Sequence, residues 1–306
     1  MADINEGLTT WQQAENHNKM IDLQRKPPKP GMPGGVELSY FASSAFRITS
    51  PGGISVMIDP WRNHPSGKWD WYYYELPMTE VDIGMSTHAH FDHDALHRLK
   101  SHTLLDRLIG TYSFGDVTIH GIADKHETDS KESHYDWCQL TRDLTGIDVS
   151  PPDNPRSFDN CLFVVETGGL RFLHWGDNRH NPPDEVWDWI GEVDVALLPV
   201  DGSRHILTYE RADRIVDRLG ARIVVPHHYF IWDITTRTST LLPAVDWVDT
   251  HPDPVQLDSG STVLHADEVK SLNGKVYHFG DNVAYERPRP RWLDGIPESE
   301  DVKAED

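Results

Sequence analysis

Short apolar runs bounded by turn residues dominate this chain, and most have the length of strands rather than helices. Val36–Tyr40, Ala45–Thr49 and Ile54–Asp59 are three such runs, with Ser50-Pro51-Gly52-Gly53 as the turn between the last two. Val81–Ser86 has the composition of a buried strand, and Val117–Ala123 predicts another that ends at Asp124-Lys125-His126. Cys161–Glu166 and Leu170–His174, joined through Gly168-Gly169, read as a hairpin that delivers Gly176-Asp177. Val193–Val200 is a further apolar strand ending at Asp201-Gly202. Ala212, Ile215, Val216 and Leu219 instead follow the i, i+3, i+4, i+7 helical period, with Gly220 as a C-cap. That helix leads into a strand over Arg222–Pro226, ending at His227-His228. Asn273-Gly274 predicts a hairpin turn between strands.

The same pattern sets the domain limits. Residues 8–25 carry a loosely amphipathic helix, and the Pro- and Gly-rich stretch from Lys26 to Gly35 breaks it, so residues 1–35 read as an arm and linker. The arm packs on the body or on a neighbouring subunit, which is the expected route to a homo-oligomer. Residues 36–286 form one body, and residues 287–306 are a Pro-rich, then acidic, disordered tail. Within the body, residues 127–159 are polar and rich in Asp, Ser and Pro, and read as a long surface excursion.

Charge narrows the partners. With 28 basic against 49 acidic residues the formal net charge is −21, which argues against nucleic acid or an anionic membrane. No apolar stretch approaches a membrane span, and the polar first twenty residues lack the apolar core of a signal peptide. Cys138 and Cys161 make neither a disulfide framework nor a C-x-x-C pair, so the expected location is the reducing cytoplasm.

The candidate chemistry gathers at Thr87-His88-Ala89-His90-Phe91-Asp92-His93-Asp94. Side chains two apart on an extended chain point the same way, so His88 and His90 can converge on one ion, with Asp92 and His93 facing a second. Imidazole and carboxylate together suit zinc, and less selectively manganese or iron. The same residue types recur at the predicted strand ends, at Asp59, His126, Asp177 and His228.

This ordered set resembles the metallo-β-lactamase-fold hydrolases, whose signature is H-x-H-x-D-H, over roughly residues 36–280. Ile58-Asp59-Pro60, Trp175-Gly176-Asp177, Asp194–Pro199 and Val225-Pro226-His227-His228-Tyr229 support it, the last two resembling the branch of ascorbate-6-phosphate lactonase and N-acyl phosphatidylethanolamine phospholipase D. The resemblance implies an α/β fold, a four-layer αββα sandwich with the site at the open edge of two sheets. It also implies His88, His90 and His126 on one metal, Asp92, His93 and His228 on a second, and Asp177 bridging them. Asp59 then positions the histidine loop, and His227 is the neighbour that competes with His228. Ala42-Ser43-Ser44 departs from the Gly-His usual in that branch, and Asn178-Arg179 from its Thr and Gly.

Two dications sharing a water would lower its pKa toward neutrality, so the implied reaction is hydrolysis by a metal-bridging hydroxide, with Asp92 and Asp177 in catalytic roles. The expected cofactors are two zinc ions, with Mn2+ or Fe2+ as substitutes, and the substrate is a small-molecule lactone, cyclic ester or amide, or phosphodiester. Arg179, Arg204, Trp175 and His205 are candidate substrate contacts, and His180 is a candidate acid. Among the aromatics, Trp61, Trp69, Trp71–Tyr74, Trp137 and Trp232 are candidate pocket walls. Two other classes remain open: an iron-dependent, sulfur dioxygenase-like oxidoreductase on the same fold, and a non-catalytic metal-stabilised binding protein.

Overall fold

The computed structural model describes residues 23, 26–30, 32–127, 143, 146, 158–202 and 206–288. In chain order its strands are β1 (Val36–Tyr40), β2 (Phe46–Thr49), β3 (Ser55–Ile58), β4 (Thr79–Glu80), β5 (Ile83–Ser86), β6 (Leu99–Lys100), β7 (Thr103–Asp106), β8 (Gly110–Phe114), β9 (Val117–Asp124), β10 (Asn160–Thr167), β11 (Leu170–His174), β12 (Val195–Pro199), β13 (Ile223–His227), β14 (Val255–Gln256), β15 (Ser261–Leu264) and β16 (Lys275–His278). The helices are α1 (Asp184–Ile190), α2 (Tyr209–Leu219), α3 (Val245–Val248) and α4 (Ala266–Lys270).

Two mixed sheets pack against each other. A six-stranded sheet runs β15-β1-β2-β3-β5-β7 and an eight-stranded sheet runs β14-β16-β13-β12-β11-β10-β9-β8. Strands β3 and β5 are parallel, as are β11, β12 and β13, while β9 and β10 alternate in direction. Sequence explains the central positions: β12 reads Val-Ala-Leu-Leu-Pro with every residue buried, the continuous apolar run of a strand covered on both faces. Each fully buried Leu, Ile or Phe in this core contributes roughly 1.5–3 kcal/mol of transfer free energy. At Gly84 of β5 an added Cβ would lie 2.7 Å from both Leu99 and Leu104, so the missing side chain is what lets those leucines close over the strand.

Helices α1 and α2 pack on the eight-stranded sheet, against β9 and β12. Helix α2 follows its predicted period: Ala212 and Ile215 are buried, Thr208 caps it by accepting from Arg211 N at 3.3 Å, and Gly220 ends it at φ 56°. Such a cap contributes about 1 kcal/mol. Among the described residues the outer layer of the six-stranded sheet is thin, a 3-10 turn at Leu96–Arg98 beside β5. The αββα order is therefore present with unequal outer layers.

The parallel strands share a direction, so one rim collects the chain segments that leave β3, β5, β9, β11 and β13. Asp59, the His88–His93 loop, His126, Asp177 and His228 all follow these ends. The rim is where two sheets supply residues to one point.

Some expectations need correction. Asn273-Gly274 is no hairpin turn, because it joins α4 to β16 and the preceding strand, β15, belongs to the other sheet. Strands β7 and β8 and helices α1, α3 and α4 went unpredicted, being too short for a period to show. Of the arm, the described part lies on the body: Leu23 and Met32 are buried and Lys26 Nζ reaches Asp82 Oδ2 at 2.5 Å. The rest of the arm, most of the 127–159 excursion and nearly all of the tail lie outside the described residues. No described helix is long and apolar enough to cross a membrane.

Candidate metal centre

The histidine motif starts where β5 stops. Beyond Ser86 the chain bends and turns, with His93 N and Asp94 N both donating to His90 O, at 3.0 and 2.9 Å. His88 and His90 therefore converge through a compact loop, not through the strand alternation expected from sequence. Asp59 clamps this loop from the end of β3, in a left-handed conformation at φ 54°. It accepts from Thr87 N and Thr87 Oγ1, both at 2.7 Å, and its Oδ2 lies 2.8 Å from His93 Nδ1. Gly176, at φ 57°, passes so close that a Cβ there would sit 2.8 Å from Thr87 Oγ1.

Two groups of side chains result, His88, His90, His126 and Asp177, then Asp92, His93 and His228, each with its potential ligand atoms within 4.8 Å of one another. Asp177 stands between them. Its Oδ2 lies 3.3 Å from His93 Nε2, 3.6 Å from His126 Nε2, 3.7 Å from His88 Nε2 and 3.9 Å from His228 Nε2. Asp92 Oδ2 lies 3.1 Å from His228 Nε2 and 3.4 Å from His93 Nε2. All seven residues are buried except His90, which is partly exposed.

The donor set and its unsatisfied atoms fit cations. His93 Nε2, His126 Nε2 and Asp177 Oδ1 are buried without a hydrogen-bond partner. Each such atom costs about 1–3 kcal/mol when left unpaired, and an ion at each group would satisfy them. Five imidazoles and two carboxylates in two sets are a donor chemistry suited to zinc, manganese or iron.

Burial and neighbouring charges shift these groups in opposite directions. Burial and the neighbouring His93, His90 and His126 hold His88 well below its ordinary pKa, and burial and His126 lower His90, so both are neutral imidazoles. For His93, His126 and His228 burial acts downward too, but Asp177 reverses it for all three, joined by Asp92 at His93 and His228. Burial would raise Asp92 and Asp177, yet the facing imidazoles, His93 foremost, hold both well below the usual carboxylate range.

The adjacent histidines part at the end of β13. His228, at φ 59°, turns toward Asp92 and donates its backbone N–H to Ser43 O at 2.8 Å. His227 stays in the core, stacked on His174 with centroids 4.9 Å apart, and joins neither group.

The proposed substrate contacts fare unevenly. Arg179 is engaged elsewhere, its Nη2 2.5 Å from Asp124 Oδ1. Trp175 is fully enclosed, with Nε1 donating to Asn178 O at 2.9 Å, so it cannot line an open pocket. His180 Nδ1 is held 2.7 Å from Glu127 Oε2. Trp61 is fully buried, whereas Trp232 is exposed. Arg204, His205 and Trp137 lie outside the described residues.

Several supporting residues escaped the sequence reading. His174 Nε2 donates to Ser44 O at 2.8 Å while its Nδ1 accepts from Gly176 N at 3.1 Å, which fixes a neutral ring under the Asp177 turn. Asp159 accepts from His126 N at 2.7 Å. Tyr72, expected as a pocket wall, is instead buried and donates to Ser43 Oγ at 2.8 Å. The three-residue Ala42-Ser43-Ser44 run, with positive φ at Ala42 and Ser43, was the one available sequence signal.

Residues 37–228 match the family described as beta-lactamase superfamily domain. A protein named UPF0173 metal-dependent hydrolase from Cupriavidus taiwanensis is 27% identical over 233 residues, 67% of this chain and 78% of its own. A protein of the same name from Thermodesulfovibrio yellowstonii is 32% identical over 214 residues, 64% of this chain and 79% of its own. A crystal structure from Thermotoga maritima, of the metallo-beta-lactamase superfamily, superposes with a TM-score of 0.54 at 21% identity, covering 79% of this chain and 98% of that one.

Proposed function

The chain belongs to the beta-lactamase superfamily, and from that premise we propose that it is a metal-dependent hydrolase with a two-metal centre acting on a small-molecule lactone, cyclic ester, amide or phosphodiester. The observation that carries the reading is Asp177 Oδ2, set within 3.3–3.9 Å of imidazoles from both groups. His88, His90 and His126 would hold one ion, Asp92, His93 and His228 the other, and Asp177 both. Relatives named metal-dependent hydrolase support the class of reaction.

Bound dications would acidify a water and polarise a substrate oxygen near neutral pH. The protein's own share is orientation and proton handling. Asp59 fixes His93 through Nδ1 and so aims its Nε2. Asp92 turns Oδ2 to His93 and His228, and its other oxygen is the group we assign to take a proton from the attacking water. The Ser43 carbonyl holds the backbone of His228, and burial of all but His90 keeps bulk water from the centre.

The test is metal analysis of the purified chain together with a screen of lactones, other esters, amides and phosphodiesters. Metal-dependent turnover of one class is the expected result. Bound iron with thiol-dependent oxygen uptake and no hydrolysis would replace this reading with the oxidoreductase one.

A further inference from the structure

Six of the seven clustered residues are buried. His90 is the partly exposed member, so among the described residues the cluster is reached from its side. The next residue, Phe91, is also partly exposed, and it is not isolated. Its ring lies 5.3 Å from Trp71 and 6.0 Å from Trp69, with His64 edge-on at 5.5 Å. Trp69 and His64 are partly exposed as well, while Trp71 is buried and reaches inward to within 6.4 Å of the His228 ring. An aromatic path thus runs from the surface at Phe91 and Trp69 to the second metal group.

Two arginines among the described residues are already committed. Arg62 Nη2 lies 3.1 Å from Asp94, and Arg179 is held by Asp124, so neither guanidinium is turned to an anionic substrate. The chain as a whole carries a formal charge of −21. An apolar, uncharged group gains from such a mouth, because partly exposed aromatic faces lose water when a ligand covers them.

We infer that Phe91 and Trp69, backed by the buried Trp71, form an apolar lip that takes the aryl or alkyl arm of an uncharged ester, lactone or amide, its reacting carbonyl lying over the two groups. This rests on the hydrolase reading above and narrows its substrate class away from phosphodiesters.

The experiment uses the zinc-loaded full chain and, as probes, straight-chain carboxylates from acetate to hexanoate, titrated by calorimetry. These resemble hydrolysis products and report binding without turnover. Affinity should climb by up to about fourfold per methylene, the factor expected for burying a CH2 group. Trp69→Ala, checked for unchanged zinc content, should flatten that climb while leaving acetate binding unaltered. Phe91→Leu, which keeps an apolar side chain, should retain part of it. A flat series in the unmodified protein overturns the inference. So does a Trp69→Ala protein that weakens acetate and hexanoate by the same factor, since that marks a role in the fold alone. Turnover of the matching esters and lactones is measured separately. Chain-length-dependent binding without any turnover removes the hydrolase reading and leaves the lip standing, whereas turnover with a flat binding series removes the lip alone.

Discussion

Two buried aspartates, Asp82 and Asp177, sit at opposite ends of the sandwich and are treated differently by it. Asp82, just before β5, is saturated. Its Oδ2 accepts from Lys26 Nζ at 2.5 Å, Ser55 N at 2.8 Å and Ser55 Oγ at 2.9 Å, and its Oδ1 faces His102 Nδ1 at 3.3 Å. Asp177, past β11, leaves Oδ1 with no partner and turns Oδ2 to four imidazoles, none closer than 3.3 Å. A carboxylate that ties elements together is complete within the protein. One that serves a bound ion looks incomplete without it. That contrast separates a structural carboxylate from a candidate ligand more sharply than burial, which is nearly total in both.

The comparison can be broken by exchanging the two losses. Asp177→Asn should leave less than one ion per chain and lower turnover by more than the roughly 10–100-fold that loss of an outer partner costs. Asp82→Asn should leave metal content and turnover alone. Metal analysis and kinetics on both proteins check this, and equal metal loss in the two would erase the distinction.

A narrower cut lies within β13. His228→Ala should lose an ion and nearly all hydrolysis, because His228 Nε2 faces Asp92 and Asp177. His227→Ala should keep both ions and lose stability instead, since a ring stacked on His174 is removed from the core. Metal loss confined to His227→Ala would reverse the assignment.

Asp59 is intermediate, a saturated carboxylate that acts on the site through Thr87 and His93. Asp59→Asn should weaken metal affinity by about 10–100-fold without abolishing the site, read by competition with a chelator of known affinity.

The smallest effect is thermal. Burial raises the Asp82 pKa, but Lys26 and Ser55 outweigh it and hold the carboxyl below its ordinary value in the folded protein. A depressed folded pKa stabilises the protein at pH above the unfolded value, about 3.9, and that contribution disappears as pH falls through the folded one. Asp82→Asn should therefore lower the melting temperature at pH 7, through loss of about 1–3 kcal/mol, and the gap to the unmodified protein should narrow below about pH 4. A gap that widens on acidification contradicts the account.

The sequence made the strand ends and the ligand types legible, because both are local. Strands β1 and β11 match the apolar runs that predict them, and each cluster residue follows a strand whose period could be read. What stayed hidden depends on partners distant along the chain. Arg179 reads as a free cation until Asp124 packs against it, and His174 gains its meaning from Ser44. A tryptophan beside Gly176-Asp177 has the same sequence whether it faces a pocket or the core, and Trp175 faces the core. Tyr72 and Ser43 meet across 29 residues, which no periodicity reports.

Elemental analysis of the purified, unmodified chain tests the central claim most directly. Seven candidate ligand residues in two groups, Asp177 among them, predict close to two transition-metal ions per chain, with zinc expected. A folded chain that hydrolyses its substrate while holding no metal would contradict the account.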